Sequence, residues 1–198
     1  MLRKFLIAAA AVCSASPTLA VKPDQLEVLG VHLADGLSAS TSKLIAQGFT
    51  KQPYELQKCA PSYESRMADF LRSRRTDFLP TEIACTRSFQ KGDDSVQVNY
   101  LIAPRGYVVS DMEYSFRSTE TSEQVESRLV AKFGSPSEHT LGDPRWYTNN
   151  SAEGNEPHLY LIGGHMLQMG GGNLMTDTFV GEVRKDLIRR MPAMRANL

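Results

Sequence analysis

Apolar and polar residues follow two different periods along this chain, and each period predicts a different kind of element. Apolar residues that recur every three or four positions predict a helix, and alternation with polar residues predicts a half-buried strand. The first pattern predicts helices over residues 38–47, 61–74, 119–133 and 183–191. Alternation, or a short run rich in Val and Leu, predicts strands over residues 26–33, 83–89, 96–102, 107–117, 145–148, 158–162, 166–169 and 174–180.

Capping residues predict where two of these helices begin and end. Ser38 is expected to cap the first helix, and Gly48 is expected to end it in the left-handed conformation. Ser118 or Thr119 is the expected cap of the third helix, and Gly134 is expected to stop it. The predicted buried face of that helix consists of Val125, Leu129, Val130 and Phe133.

The connections between the predicted strands are short. The turns over residues 92–94, 104–106 and 163–164 leave no room for the crossover of a dozen or more residues that parallel strands need. We therefore predict an α+β fold made of antiparallel sheet meanders, with three to four helices packed mainly on one side of the sheet.

The order of a helix followed by a meander occurs twice, which suggests two tandem modules within one compact domain over residues 21–198. The corresponding halves are residues 26–117 and 118–191. Each half has an aliphatic pair near a helix end that glycine closes, namely Leu44-Ile45 before Gly48 and Leu129-Val130 before Gly134. Internal duplication and ordinary helix-ending chemistry both explain this echo, and both interpretations stay open.

The first twenty residues have the pattern of a secretory signal peptide. Arg3 and Lys4 form a positive start, residues 5–12 form a short apolar run, and small residues precede a cleavage site after Ala20. This pattern predicts a periplasmic or secreted protein. A membrane anchor is the main alternative, but the apolar run is about half the ~20 residues that a spanning helix needs. Lipidation at Cys13 is a further alternative, although Val12 departs from the usual lipoprotein signal.

Two cysteines, Cys59 and Cys85, remain after removal of the signal segment. An even pair in an oxidising compartment predicts a disulfide, and two buried free thiols are the alternative. No histidine stands at ligand spacing beside either cysteine, so the sequence predicts no metal site at this pair.

Charge and motifs narrow the classes of function. The chain has 22 basic and 22 acidic residues, and loss of Arg3 and Lys4 changes the formal charge from 0 to −2, which argues against nucleic-acid binding. None of the common catalytic motifs occurs, and the glycines at 170–172 lack the Lys-Ser/Thr of a phosphate loop. We read the three later histidines as surface residues and predict no cofactor, no metal and no catalytic residues. They are His139, His158 and His165.

Three short stretches resemble two families of small exported modules. They are Leu29-Gly30-Val31 leading into Leu37-Ser38, the pair Gly48-Phe49, and Lys132-Phe133-Gly134-Ser135-Pro136. They are similar to the β-lactamase-inhibitor-protein family and the SmpA/OmlA (BamE) family, in which a helix closed by glycine precedes an antiparallel meander. The chain departs from both in a longer insertion around residues 54–81, and it lacks the lipoprotein cysteine motif of the second. The resemblance implies a non-catalytic, protein-binding role.

Candidate binding residues fall into two groups. Arg145, Trp146 and Tyr147 precede a polar loop, and exposed residues of these types are enriched in binding hot spots. A Trp in a strand is equally typical of a core, so both interpretations of Trp146 stay open. The second group is basic and consists of Arg66, Arg72, Arg74 and Arg75 on or after the second helix, with Arg184, Lys185, Arg189 and Arg190 on the last.

These residues lead to three hypotheses of function. The first is a binding or inhibitor-like module that acts on another envelope protein. The second is an enzyme of unrecognised type with an envelope substrate. The third is an assembly accessory at the membrane surface that uses the basic helices, whose charges are also explained by an ordinary solvated helix face.

Overall fold

The structure, a computed structural model, describes residues 25–53, 59, 62–73, 85–148 and 155–195. The predicted signal segment, residues 1–20, lies outside this part of the chain. In chain order the elements are β1 (Glu27–Val28), β2 (Val31–His32), α1 (Leu37–Ala46), β3 (Thr50–Lys51), α2 (Tyr63–Ser73), β4 (Cys85–Lys91), β5 (Asp94–Ala103), β6 (Gly106–Ser115), α3 (Ser122–Phe133), β7 (Glu138–Thr140), β8 (Asp143–Tyr147), β9 (His158–Ile162), β10 (Met166–Gly170) and α4 (Gly172–Arg195).

Eight of the strands form one antiparallel sheet with the order β3-β4-β5-β6-β10-β9-β8-β7. Helix α1 precedes the first four strands, helix α3 precedes the last four, and the final strands of the two sets, β6 and β10, pair at the centre. The α+β fold predicted from the sequence is confirmed. Helix α2 lies between β3 and β4 in the chain.

The main core lies between one face of this sheet and the helices α1 and α3. Leu44 of α1 and Val125 and Phe133 of α3 belong to the same buried cluster as sheet residues Val98 and Met112. Fully burying a side chain of this size stabilises the fold by about 1.5–3 kcal/mol. The predicted apolar face of the third helix is confirmed, because Leu129 and Val130 also pack against this cluster.

Both predicted helix starts are wrong by one to three residues. The N-cap of α1 is Gly36 rather than Ser38, which lies within the helix. The N-cap of α3 is Thr121, because Gln124 stands three residues later and the two side chains bond each other's backbone N–H groups. Gly48 does follow α1 in the left-handed region, with φ +87°.

The single strand predicted over residues 26–33 is a hairpin instead. Val28 pairs with Val31, and the two residues between them, Leu29 and Gly30, both have positive φ, of 54° and 73°. Two consecutive left-handed residues make a tight hairpin turn that reverses the chain. The hairpin buries Val28 and Val31 in the main core.

The strand predicted over residues 174–180 is wrong, because these residues belong to the long helix α4. Met175 and Phe179 are one helical turn apart and pack on Leu101 and Val108 of the β5–β6 hairpin. Their contact with the sheet outweighs the local preference of Thr and Phe for strands.

Within the described residues, no helix is long and apolar enough to cross a membrane.

The predicted disulfide between Cys59 and Cys85 is confirmed. Cys85 is buried at the start of β4 and pairs with Tyr100 of β5. The bond therefore ties the segment before α2 to the interior of the sheet.

We expect the double variant Cys59→Ala, Cys85→Ala to unfold at lower denaturant concentration. The disulfide closes a loop across 26 positions of sequence. The chain-entropy relation gives a loss of about 3–4 kcal/mol in the free energy of unfolding. Urea titration of the unreduced proteins measures the difference, and adding reductant to the natural protein should reproduce it. Equal midpoints for the two proteins would contradict a stabilising role for the bond.

A buried carboxylate joins α4 to α2. The hydroxyl of Tyr63 donates to Asp186 Oδ2 at 2.8 Å, and Arg190 Nε donates to the same oxygen at 2.7 Å. Arg190 also donates two hydrogen bonds to Glu64, at 2.8 and 2.7 Å. Burial alone raises the pKa of Asp186, but the hydrogen bonds from Tyr63 and Arg190 outweigh it and hold the pKa below its usual value. The hydrogen bonds from Arg190 likewise lower the pKa of Glu64.

Acid is expected to weaken this junction. Because the pKa of Asp186 is lower in the folded state, its contribution is complete above the unfolded pKa and is lost as the pH falls through the folded pKa. We expect Asp186→Asn to cost about 1–3 kcal/mol at neutral pH and to flatten the fall in stability below about pH 4. Urea titrations at several pH values measure both effects. The exposed acid Asp177 on the same helix provides the control Asp177→Asn, and equal pH profiles for the two variants would contradict the assignment.

Candidate functional site: the polar face of the sheet

The face of the sheet opposite the main core carries mostly polar side chains. Strand register places one line of residues side by side across seven strands, and we call the surface around this line the polar face. The line consists of Ser88, Gln97, Glu113, Gln168, Tyr160, Arg145 and Glu138. With neighbouring strands about 4.8 Å apart, it extends over about 29 Å. The polar face therefore presents a long array of hydrogen-bonding groups on a rigid support.

One end of the polar face carries an aromatic–arginine cluster, formed by Glu138, Arg145, Tyr147, His158 and Tyr160. The imidazole of His158 stacks on the ring of Tyr160 at 4.4 Å between centroids. The guanidinium carbon of Arg145 lies 4.6 Å from the same ring. Tyr147 meets Tyr160 edge to face at 5.9 Å. These contacts hold the ring of Tyr160 in one orientation, and the cation–π contact adds about 0.5–1 kcal/mol at an exposed site.

Hydrogen bonds continue the cluster to the edge of the sheet. The hydroxyl of Tyr160 donates to that of Tyr147 at 3.4 Å, and Tyr147 donates to Glu138 Oε1 at 2.9 Å. Arg145 Nη1 lies 3.8 Å from the same carboxylate oxygen. Burial raises the pKa of Tyr160, so its phenol stays protonated at neutral pH and acts as a donor. Glu138 therefore ends a chain of donors that runs along the polar face.

A glycine makes room for the histidine of this cluster. His158 Nδ1 lies 2.9 Å from the carbonyl oxygen of Glu156, which only accepts, so Nδ1 carries the proton and Nε2 is the free acceptor. The ring lies over Gly170 of β10, where an added Cβ would stand 2.6 Å from Nε2. Burial lowers the pKa of His158, so the imidazole is neutral at pH 7.

Trp146 is a core residue rather than an exposed binding residue. Its side chain is 0% exposed, its Nε1 donates to the carbonyl of Gly134 at 2.8 Å, and its ring lies 6.4 Å from that of Phe133. Successive side chains of a strand point to opposite faces. Arg145 and Tyr147 consequently lie together on the polar face, and Trp146 between them points into the core.

The basic candidates lie elsewhere. Arg72 is exposed on α2, which packs through Tyr63 and Met67 against Ile102, and Arg74 and Arg75 lie outside the described residues. Of the four basic candidates on α4, two bind Asp186, and the other two are exposed. The bound pair is Arg189 and Arg190, and the exposed pair is Arg184 and Lys185. The basic cluster of the last helix therefore divides between structural and surface positions.

Sequence reasoning named Arg145 and Tyr147 as candidates but missed other members of the polar face, among them His158, Tyr160 and Glu113. The signal for the first two was present in β9, where His158 and Tyr160 alternate with Leu159 and Leu161. Alternation marks a polar face, but it does not show which strands lie side by side. The pairing of β9 with β8 and β10 in the folded sheet determines which residues lie beside Tyr160.

The arrangement is suited to recognition by hydrogen bonds and ring contacts. Among the residues that the structure describes, no group of three or more His, Cys, Asp and Glu is placed to hold a metal ion. Comparison with known proteins gives no match to a protein family, to a curated protein or to a solved structure.

We expect His158 to titrate below its ordinary value of 6.5, because burial disfavours the charged ring. Nuclear magnetic resonance of the imidazole protons measures the midpoint. The variant Gly170→Ala should displace the ring toward solvent and raise the midpoint toward the ordinary value. A titration midpoint of His158 at or above 6.5 in the natural protein would show that the ring is not desolvated as described.

Proposed function

We propose that this chain is an exported, non-catalytic binding module that engages another envelope protein through its polar face. The aromatic–arginine cluster carries the proposal. Tyr and Arg are, with Trp, the residue types enriched in binding hot spots, and here Tyr160 and Arg145 stand on strands with their side chains already held in place. A pre-ordered surface loses less conformational entropy when it binds.

Localisation to the periplasm or outside the cell is part of this proposal. The first twenty residues have the charge, apolar run and small residues of a signal peptide. The disulfide between Cys59 and Cys85 is consistent with an oxidising compartment. The same binding role is implied by the resemblance to the β-lactamase-inhibitor-protein family.

The geometry of the cluster favours binding over catalysis. Glu138 accepts from Tyr147 and Thr140, and both Tyr hydroxyls of the cluster donate within it. A general acid or base needs a proton position open toward a substrate, and the free Nε2 of His158 instead lies over the backbone of Gly170. The partly exposed ring of Tyr160 and guanidinium of Arg145 instead present an edge and N–H groups, which suit the surface of another protein. Tyr147 is only 1% exposed and holds Tyr160 in place from within the protein.

The proposal is tested by affinity capture from an envelope extract with the immobilised full-length mature chain. We expect one stoichiometric partner, and we expect Tyr160→Ala and Arg145→Ala each to weaken its binding by about tenfold or more, as hot-spot truncations do. The matched control is Arg128→Ala, because Arg128 is an exposed arginine on α3, the helix that packs on the core side of the sheet.

Binding constants for the purified partner, measured by calorimetry, decide the outcome. If Arg145→Ala and Arg128→Ala weaken binding of the partner equally, the polar face is not the binding surface. Failure to capture any partner in repeated attempts would count against the binding module itself.

A further inference from the structure

The polar face contains a shallow depression at the end far from the aromatic–arginine cluster. It has a volume of about 270 Å³ and lies over β4, β5 and β6. Its polar lining includes Ser88, Gln90, Ser95, Gln97, Glu113 and Ser115. Three strand spacings, about 14 Å, separate Glu113 from Arg145.

Glu113 is the charged group of this depression, and it differs from the acids near it. Asp111 accepts from Asn99 at 2.6 Å and from Ser110 at 2.7 Å. Asp94 accepts from Tyr114 and from the backbone of Arg117. Within the described part of the chain, Glu113 has neither a hydrogen bond nor an ion pair through its carboxylate. One uncompensated negative charge thus stands among neutral amides and hydroxyls.

The strands around Glu113 hold the depression in shape. Gln97 and Gln168 flank Glu113 in register on β5 and β10, and Ser88 follows beyond Gln97 on β4. Thr86, Asn99 and Asp111 form a hydrogen-bonded row beside this line, with Thr86 donating to Asn99 at 2.7 Å. A site built on paired strands changes little when it is filled.

We propose that this depression receives the guanidinium group of an arginine side chain presented by the partner protein. This inference rests on the proposed function and specifies the chemistry of the partner. The carboxylate of Glu113 accepts two N–H groups of the planar fork, and the oxygens of Gln97, Ser88 and Ser115 accept the others. A lysine ammonium has only three donors and would leave more of these acceptors unused.

Size and charge exclude other occupants. Pockets for whole small ligands measure roughly 300–1,000 Å³, so a depression of about 270 Å³ suits a single side chain. An anion would be repelled by Glu113. A single carboxylate also supplies less negative charge than tight calcium sites use, and the described residues contain no group of three or more His, Cys, Asp and Glu placed to hold a metal ion.

The test uses Nα-acetyl-arginine methylamide as the probe and nuclear magnetic resonance of the labelled full-length mature protein as the readout. We expect saturable shifts at the backbone amides of Ser88, Gln97 and Glu113, and weaker shifts with the lysine analogue. The neutral norleucine analogue should cause none. Glu113→Gln, which keeps the shape of the side chain, should weaken the arginine probe by about tenfold. Glu182→Gln on α4 is the matched control and should bind as the natural protein does.

Two results would overturn the inference: no saturable shift with the arginine probe, or equal binding by the natural protein and Glu113→Gln. Tighter binding of putrescine than of the arginine probe would reassign the depression to small free amines and would equally overturn it. The outcome is separate from that of the capture experiment. A partner that binds Glu113→Gln as tightly as the natural chain leaves the proposed function intact and removes this inference. If the depression binds the arginine probe but no partner is captured, this inference stands and the proposed function fails.

Discussion

The pairing of β6 with β10 is the contact on which the rest of the molecule depends. Five residue pairs, from Met166 opposite Ser115 to Gly170 opposite Asp111, join the strands that end the two meanders. Without this ladder the two four-stranded sets would each have an unpaired edge at the centre of the present sheet. With it, the eight strands form one sheet, and their side chains lie on one of its two faces.

That assignment explains why one face of the sheet forms the main core and the other carries the polar face. Helices α1 and α3 and the β1–β2 hairpin cover one face, where Val98, Met112 and Leu159 are fully buried. Helix α4 packs on the other side only at the far end of β5 and β6, through Met175 and Phe179. The central part of that side is left to the polar face, whose side chains are aligned by the same ladder.

The two ends of the polar face differ in chemistry and charge, and this difference makes the face asymmetric. At one end, Arg145 and His158 enclose the ring of Tyr160, and the acid Glu138 is already engaged. At the other end, Glu113 carries an uncompensated charge among neutral groups. A partner with an arginine at one end of its surface and polar or aromatic groups at the other would bind in one orientation only, because electrostatic complementarity sets register.

Local sequence alone determined the helical face of α3, the alternation in β9, the glycine that ends α1, and the pairing of Cys59 with Cys85, since each depends on neighbours in the chain or on a count. The half-buried alternation predicted for β5 holds only as far as Val98, because residues 98–103 are buried on both faces of the sheet. It misjudged residues 174–180, because a run containing Thr and Phe suits either a strand or a helix until Leu101 and Val108 supply the surface it covers. Likewise, the neighbouring residues Arg145, Trp146 and Tyr147 form one candidate group in the sequence. Only the sheet separated them, since alternate side chains point to opposite faces and strand pairing decides which face is buried.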